Sequence, residues 1–138
     1  MQSDFEIIGH TADIGVAAYG VTIDEAFANA ARALFSLIVE PDTVSEKLYR
    51  DIELTAADDG GLLVSWLNEL IFIFDTEFLI FSRFDVAVSG CGLRARAYGE
   101  KVDSSRHTLK TGVKAATYHM LSVECGKDAC RVQVIFDI

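Results

Sequence analysis

Apolar residues return every three or four positions between Ile23 and Ile38, where Ile23, Ala26, Phe27, Ala30, Ala31, Leu34 and Ile38 share one helical face. Thr22-Ile23-Asp24-Glu25 reads as a capping box at its start, with the Thr22 hydroxyl on a free amide and Glu25 reaching back. Pro41-Asp42 supplies the stop, so the pattern predicts a first helix over 22–39. The next long apolar segment behaves differently. Leu63, Trp66, Leu67, Leu70, Ile71 and Phe74 form a stripe, but Leu62, Val64, Phe72 and Ile73 spread over much of the remaining circumference. A helix apolar on most sides is buried on more than one of them. Residues 62–75 are therefore expected to be the central packing element, with Trp66 in the core and Asn68, Glu69 and Asp75 as polar exceptions.

Elsewhere the period is two. Phe5 to Ile8 and Val16 to Gly20 are extended segments interrupted at His10 to Gly15, giving a hairpin or a bent strand. Ile52, Leu54 and Ala56 alternate with Asp51, Glu53 and Thr55 along 48–56, until Asp58-Asp59-Gly60-Gly61 breaks the run. Phe84, Val86 and Val88, then Leu93, Ala95 and Ala97, flank Ser89-Gly90-Cys91-Gly92 as a hairpin. Asp103 to His107 is the most polar stretch and reads as an exposed loop. Val113 to Glu124 reads as a strand with Lys114 and Tyr118 on one face and His119 on the other; Gly126-Lys127-Asp128 then turns the chain into Arg131 to Ile138. In that last strand Val132, Val134, Phe136 and Ile138 share a face, so Asp137 points the other way and stays accessible. No repeat or linker interrupts the 138 residues, and the length prior gives a single domain over 1–138. The order of elements predicts α+β, two helices packed on a largely antiparallel β-sheet.

With 51% hydrophobic residues, the chain has enough apolar material for a sizeable core, which excludes disorder. Its longest apolar run, Leu70 to Phe74, falls far short of the roughly 20 residues that span a bilayer, and the acidic start lacks the form of a signal peptide. A soluble, cytoplasmic protein is expected. The formal charge of −9 disfavours direct binding to a phosphate backbone and favours docking on a basic protein. Cys91, Cys125 and Cys130 make an odd count without a C-x-x-C pair, and are expected to be reduced structural thiols, although Cys125 and Cys130 flank a turn and could lie close together.

Two short strings carry the candidate chemistry. His10-Thr11-Ala12-Asp13-Ile14-Gly15 is an acidic turn, and Asp137-Ile138 closes the last strand. An antiparallel sheet brings such distant strand ends together, and two carboxylates meeting there would suggest a cation. Taken alone, Asp13 is as well explained as a turn residue and Asp137 as a solvated acid.

With both ends read, the sequence resembles archease over essentially its whole length. The resemblance rests on His10 to Gly15, on Tyr19-Gly20 with Asp24-Glu25-Ala26-Phe27, and on Leu63 through Leu70 with Trp66-Leu67-Asn68-Glu69. Asp75-Thr76-Glu77, Ala97-Tyr98-Gly99-Glu100, Val113-Lys114-Ala115 with Thr117-Tyr118-His119, and the closing Asp137-Ile138 complete it. It implies a non-catalytic activator of an RtcB-type RNA ligase in tRNA splicing or RNA repair. Such an activator promotes guanylylation of a ligase histidine by GTP and multiple turnover, and meets GTP and RNA only through the ligase. The family's metal site maps onto Asp13, Asp137 and Ile138, the last through main-chain oxygen or a terminal carboxylate. Hard oxygen donors suit Ca2+, which the resemblance implies, or Mg2+ or Mn2+, rather than zinc. His10, Glu100, Lys114, Tyr118 and His119 are candidates for a supporting role at the metal or for contact with the ligase. Against those roles, His10 can bond its own turn, the three residues near 114–119 can be sheet packing and solvated charge, and Glu100 and Asp75 can be ordinary surface acids. Two departures stand out: Gly9 and Gly112 replace residues commonly acidic in the family.

Two other classes compete. A small metal-dependent hydrolase would use Asp13, Asp137 and His10, but no Ser-His-Asp arrangement, phosphate-cradling glycine loop or H-E-x-x-H supports it. A general chaperone would need exposed apolar surface, whereas the periodicity assigns the hydrophobic residues to a core.

Overall fold

The computed structural model describes residues 4–9 and 13–138. Two strands, β1 (Phe5–Gly9) and β2 (Asp13–Gly20), form a hairpin and lead into α1 (Ile23–Ile38); a short turn of 3-10 helix, Pro41–Thr43, precedes β3 (Leu48–Thr55). Then come α2 (Asp59–Glu77), the hairpin of β4 (Leu79–Ser89) and β5 (Gly92–Lys101), and the pair β6 (Ala115–Cys125) and β7 (Cys130–Asp137). The fold class is the expected one, with a refinement: the antiparallel strands divide into two sheets, β1-β2-β7-β6 and β3-β5-β4. Both helices touch strands of both sheets, so the core lies between two layers of strands and is filled by helix. Among the described residues no helix is long and apolar enough to cross a membrane.

The helix starts follow local hydrogen bonding. Thr22 Oγ1 accepts from the Glu25 amide at 3.2 Å, the first half of the expected capping box; among the described residues the Glu25 carboxylate makes no return bond to Thr22. In α2 the acidic-glycine string is itself the start: Asp58 Oδ1 accepts from the Gly61 amide at 2.7 Å, and the helix begins at Asp59, three residues before the predicted position. Asp58 therefore ends β3's loop and caps α2 with one carboxylate. As expected, α2 is buried on several sides, and Trp66 is fully enclosed, donating from Nε1 to the Phe27 carbonyl of α1 at 3.0 Å. Around it, Phe84 meets Trp66 edge-on, and Phe35 contacts both Phe81 and Phe84, tying α1 and α2 to the three-stranded sheet.

Two close approaches fix how the layers meet. A Cβ on Gly99 would lie 1.8 Å from the Ile80 carbonyl oxygen, so β5 and β4 touch there backbone to backbone. That contact adjoins the register shift of β4 between Phe81 and Arg83. At the other sheet, the Asn68 side chain of α2 donates to the Ala116 carbonyl at 3.2 Å and accepts from the Ala116 amide at 2.8 Å. One helical amide thus satisfies both backbone groups of a residue in edge strand β6.

Three expectations change. The stretch Asp103 to His107 is not wholly exposed, because His107 is buried at 4% exposure. The segment 113–124 does not run as a regular strand. In β6, Thr117 faces Ile135 and Ser122 faces Gln133, so five steps along β6 match two along β7, and Met120 sits at φ 52°. Strict alternation fails across this bulge, which begins beyond Thr117 and takes in Tyr118 and His119. Lastly, Cys125 and Cys130 are register partners across the β6–β7 turn and form a disulfide, leaving Cys91 as the free, exposed thiol. The two cysteines are five positions apart, wider than C-x-x-C, and it is the turn between β6 and β7 that brings them opposite each other.

Candidate functional site

In the four-stranded sheet β2 and β7 are central neighbours, and their register runs from Gly20 opposite Cys130 to Asp13 opposite Asp137. The first residue of β2 and the last of β7 thus stand side by side. Directly opposed residues of antiparallel strands project to the same face with Cβ atoms about 4.5–5.5 Å apart, so these two acids share one patch of sheet end. Packing supports the arrangement. Val132, Val134 and Phe136 are buried, which turns Asp137 outward, where it is exposed, whereas Asp13 is half-buried. Ile138 follows, half-buried and packed on the core.

The third strand of the patch is β6. Ala115 is opposite Asp137, and the Lys114 amide donates to the Asp137 carbonyl at 2.8 Å. Among the described residues neither Asp13 nor Asp137 forms an ion pair, the exposed Lys114 ammonium included. Among the described residues no cation pairs with these two like charges, an unfavourable cross-strand pair that a bound cation would relieve. Oxygen is the only donor type that Asp13, Asp137 and the Ile138 main chain offer. The residues therefore fit a hard divalent ion bound through one or two carboxylates with water in the remaining positions. Among the described residues no group of three or more His, Cys, Asp or Glu side chains is placed to hold a metal. The donor set is a sparse one.

The other candidates scatter. Tyr118 and His119 are exposed in the β6 bulge, with the His119 amide donating to Thr117 Oγ1 at 3.4 Å and the Met120 carbonyl held by Gln133 Nε2 at 3.1 Å. His10 lies outside the described residues, as do Thr11 and Ala12. Gly9 and Gly112 have open space around the position of a Cβ, so packing forbids an acid at neither.

Glu100 does not belong to this patch. It is on β5, in the other sheet, and only 3% exposed, which corrects the reading of a surface acid. Its carboxylate accepts from the Ser45 amide at 2.6 Å, from Arg106 Nη2, and from His107 Nε2 at 3.2 Å, with Lys47 Nζ at 3.6 Å. His107 Nδ1 accepts from the Asp103 amide at 2.9 Å, which assigns the ring proton to Nε2, where Thr43 O also receives it at 3.0 Å. Burial pushes the Glu100 carboxyl up, but the Ser45 amide and the Arg106 guanidinium override it and hold it at about 2. This cluster pins the 103–107 segment to the 3-10 turn and β5. Its sequence signal, a polar run, points to solvent and conceals it.

Comparison with known proteins agrees with the whole-chain resemblance. The model of the archease protein family matches residues 5–138. The chain belongs to the archease family. Among its relatives, the archease of Methanosarcina mazei is 37% identical over 97% of this chain and 95% of its own length. The archease of Pyrococcus abyssi is 44% identical over 83% and 84% of the two chains. The solution structure of a Methanobacterium thermoautotrophicum protein superposes with a TM-score of 0.84 at 37% identity, covering 98% of this chain and 99% of that one. A Thermotoga maritima crystal structure described as an archease and possible chaperone, at 22% identity and TM-score 0.64, has the same fold. Archease relatives thus share both the length and the layered sheets and helices described above.

Proposed function

We propose that this archease-family protein is a non-catalytic accessory factor acting in the cytoplasm, where it activates an RtcB-type RNA ligase in tRNA splicing or RNA repair. The observation that carries the reading is the register of β2 on β7, which sets Asp13 opposite Asp137 beside Ile138, with no ion-pair partner for either acid among the described residues. In this proposal the two carboxylates and the Ile138 carbonyl hold a divalent ion, calcium first, with magnesium or manganese as alternatives. When bound, the ion supplies charge neutralisation for a triphosphate during guanylylation of the ligase histidine by GTP. The chain's own part is positional. Paired strands hold the two acids together at a sheet end, Lys114 fixes the Asp137 backbone, and the acidic surface favours docking on a basic partner. Tyr118 and His119 are exposed on the neighbouring strand, and in this proposal they contact the ligase.

The test is GTP-dependent guanylylation and multiple-turnover RNA joining by a cognate ligase at limiting manganese, with and without the protein. Stimulation that is lost in Asp13→Ala and in Asp137→Ala, both still folded, is the expected result. Undiminished stimulation by either variant removes the metal site from the mechanism. Absence of stimulation by the intact protein removes the activator role. General suppression of aggregation of unrelated proteins would instead support a chaperone, the description attached to the Thermotoga maritima relative.

A further inference from the structure

The disulfide lies at the opposite end of β7 from Asp137, and nothing in the proposed activity uses it. The two residues it joins differ in access: Cys125 is exposed and Cys130 is buried at 5% exposure. Beside them opens a hollow of about 630 Å3 whose walls include both cysteines, Tyr19, Glu124 and Arg131. The Arg131 guanidinium lies 5.9 Å from the centroid of the Tyr19 ring and donates to Gln133 Oε1 at 3.1 Å; among the described residues it pairs with no carboxylate. The chain thus presents a disulfide with one exposed cysteine, room for a small molecule, and a cation at the rim.

We propose that Cys125–Cys130 is a reversible thiol–disulfide exchange site for small carboxylate-bearing thiols, with Cys125 Sγ as the sulphur attacked and Arg131 receiving the carboxylate. Attack requires an accessible sulphur, which selects Cys125. The incoming thiolate bonds to Cys125 Sγ, the Cys125–Cys130 bond breaks, and Cys130 leaves as a thiolate that takes up a proton. A second thiolate then attacks the small-molecule sulphur of the mixed disulfide, freeing Cys125 and releasing the small thiol as its own disulfide. Two thiols are oxidised and one protein disulfide is reduced. The reverse sequence, from a small-molecule disulfide, re-forms the bond. Reduction leaves the four register pairs from Ser122 to Cys125 as the remaining tie of β6 to β7 beyond the bulge. This inference is independent of the ligase reading.

The experiment uses the full chain with Cys91→Ser, so that the remaining free thiol does not report. Protein purified without reductant is equilibrated in buffers of reduced and oxidised glutathione, quenched with acid, alkylated, and read by mass spectrometry, with circular dichroism confirming the fold. The expected results are a disulfide that titrates with the glutathione ratio while the fold persists, and a trapped mixed disulfide mapped to Cys125. Added Arg131→Gln should slow exchange by about tenfold with glutathione and leave exchange with cysteamine, a thiol lacking a carboxylate, unchanged, the size expected for one charge-assisted contact of about 1.4 kcal/mol. A bond that resists millimolar glutathione until the chain unfolds, a pair found fully reduced as purified, or adducts on Cys130 would overturn the proposal. Equal slowing of both thiols by Arg131→Gln would overturn the part given to Arg131.

Discussion

Replacing Glu100 by alanine tests whether the cluster beneath β5 is a structural clasp. The truncation strands the Ser45 amide, which has its carboxylate acceptor at 2.6 Å, while His107 Nε2 keeps Thr43 O and the part-exposed Arg106 keeps Asp103. A hydrogen bond to a charged acceptor contributes about 1.5–3 kcal/mol, and removing one partner of a buried charge pair costs about 3–5 kcal/mol. Because Arg106 can turn to water, the expected loss is about 3 kcal/mol, a fall in Tm of about 10 °C for a chain of this size. Glu100→Gln, which retains an oxygen for Ser45 and His107 but not the charge toward Arg106 and Lys47, should lose less. Acid supplies the second arm. The folded carboxyl is held at about 2, below its ordinary 4.5, so its contribution is present above the ordinary value and disappears as pH falls through about 2. Thermal and urea unfolding followed by circular dichroism from pH 7 to pH 2 measure both arms. A loss under about 1 kcal/mol at pH 7, or a gap between wild type and Glu100→Gln that does not close in acid, would refute the clasp.

Gly99→Ala places a methyl where the Ile80 carbonyl stands, at 1.8 Å, and is expected to give insoluble or unfolded protein, checked by the soluble fraction and circular dichroism. Asn68→Leu removes both hydrogen bonds to Ala116 and should cost about 2 kcal/mol in urea unfolding, with faster hydrogen exchange at Ala116. Asp13→Asn relieves the facing charges, so Tm in chelator should stay level or rise slightly; added calcium or manganese should raise the wild-type Tm and leave the variant unmoved. A wild-type Tm indifferent to both ions would count against the metal site.

How much of this was readable in the sequence depends on whether a residue's partner is local. The Thr22 hydroxyl caps the Glu25 amide within one turn of α1, as the sequence announces, and the two helices keep their period. The meeting of Asp13 with Asp137 was also accessible, because alternation in β7 turned Asp137 outward and antiparallel pairing joins strand ends. What stayed hidden depends on distant partners. His107 is polar and follows Asp103 and Arg106, so pattern assigns it to solvent; only the Glu100 carboxylate and the Thr43 carbonyl make its burial tolerable. The β6 bulge has no glycine at its positive-φ residue, Met120, and so carries no punctuation that a reader would stop at. Division of the strands into two sheets likewise depends on helices that pack on both, which hydrophobic period alone does not reveal.

The two hydrogen bonds from Asn68 bear on how this molecule avoids its own kind. A strand at the border of a sheet is a template on which another chain can extend the ladder, and long unprotected borders are where soluble proteins polymerise. At Ala116 the template is already occupied: a helix side chain plays the part of one residue of a missing fifth strand, presenting donor and acceptor where a stranger's backbone would. Just beyond it the bulge breaks the register that any added strand would have to follow. The β6 border next to Asp137 is thus a poor seed for the endless addition of strands.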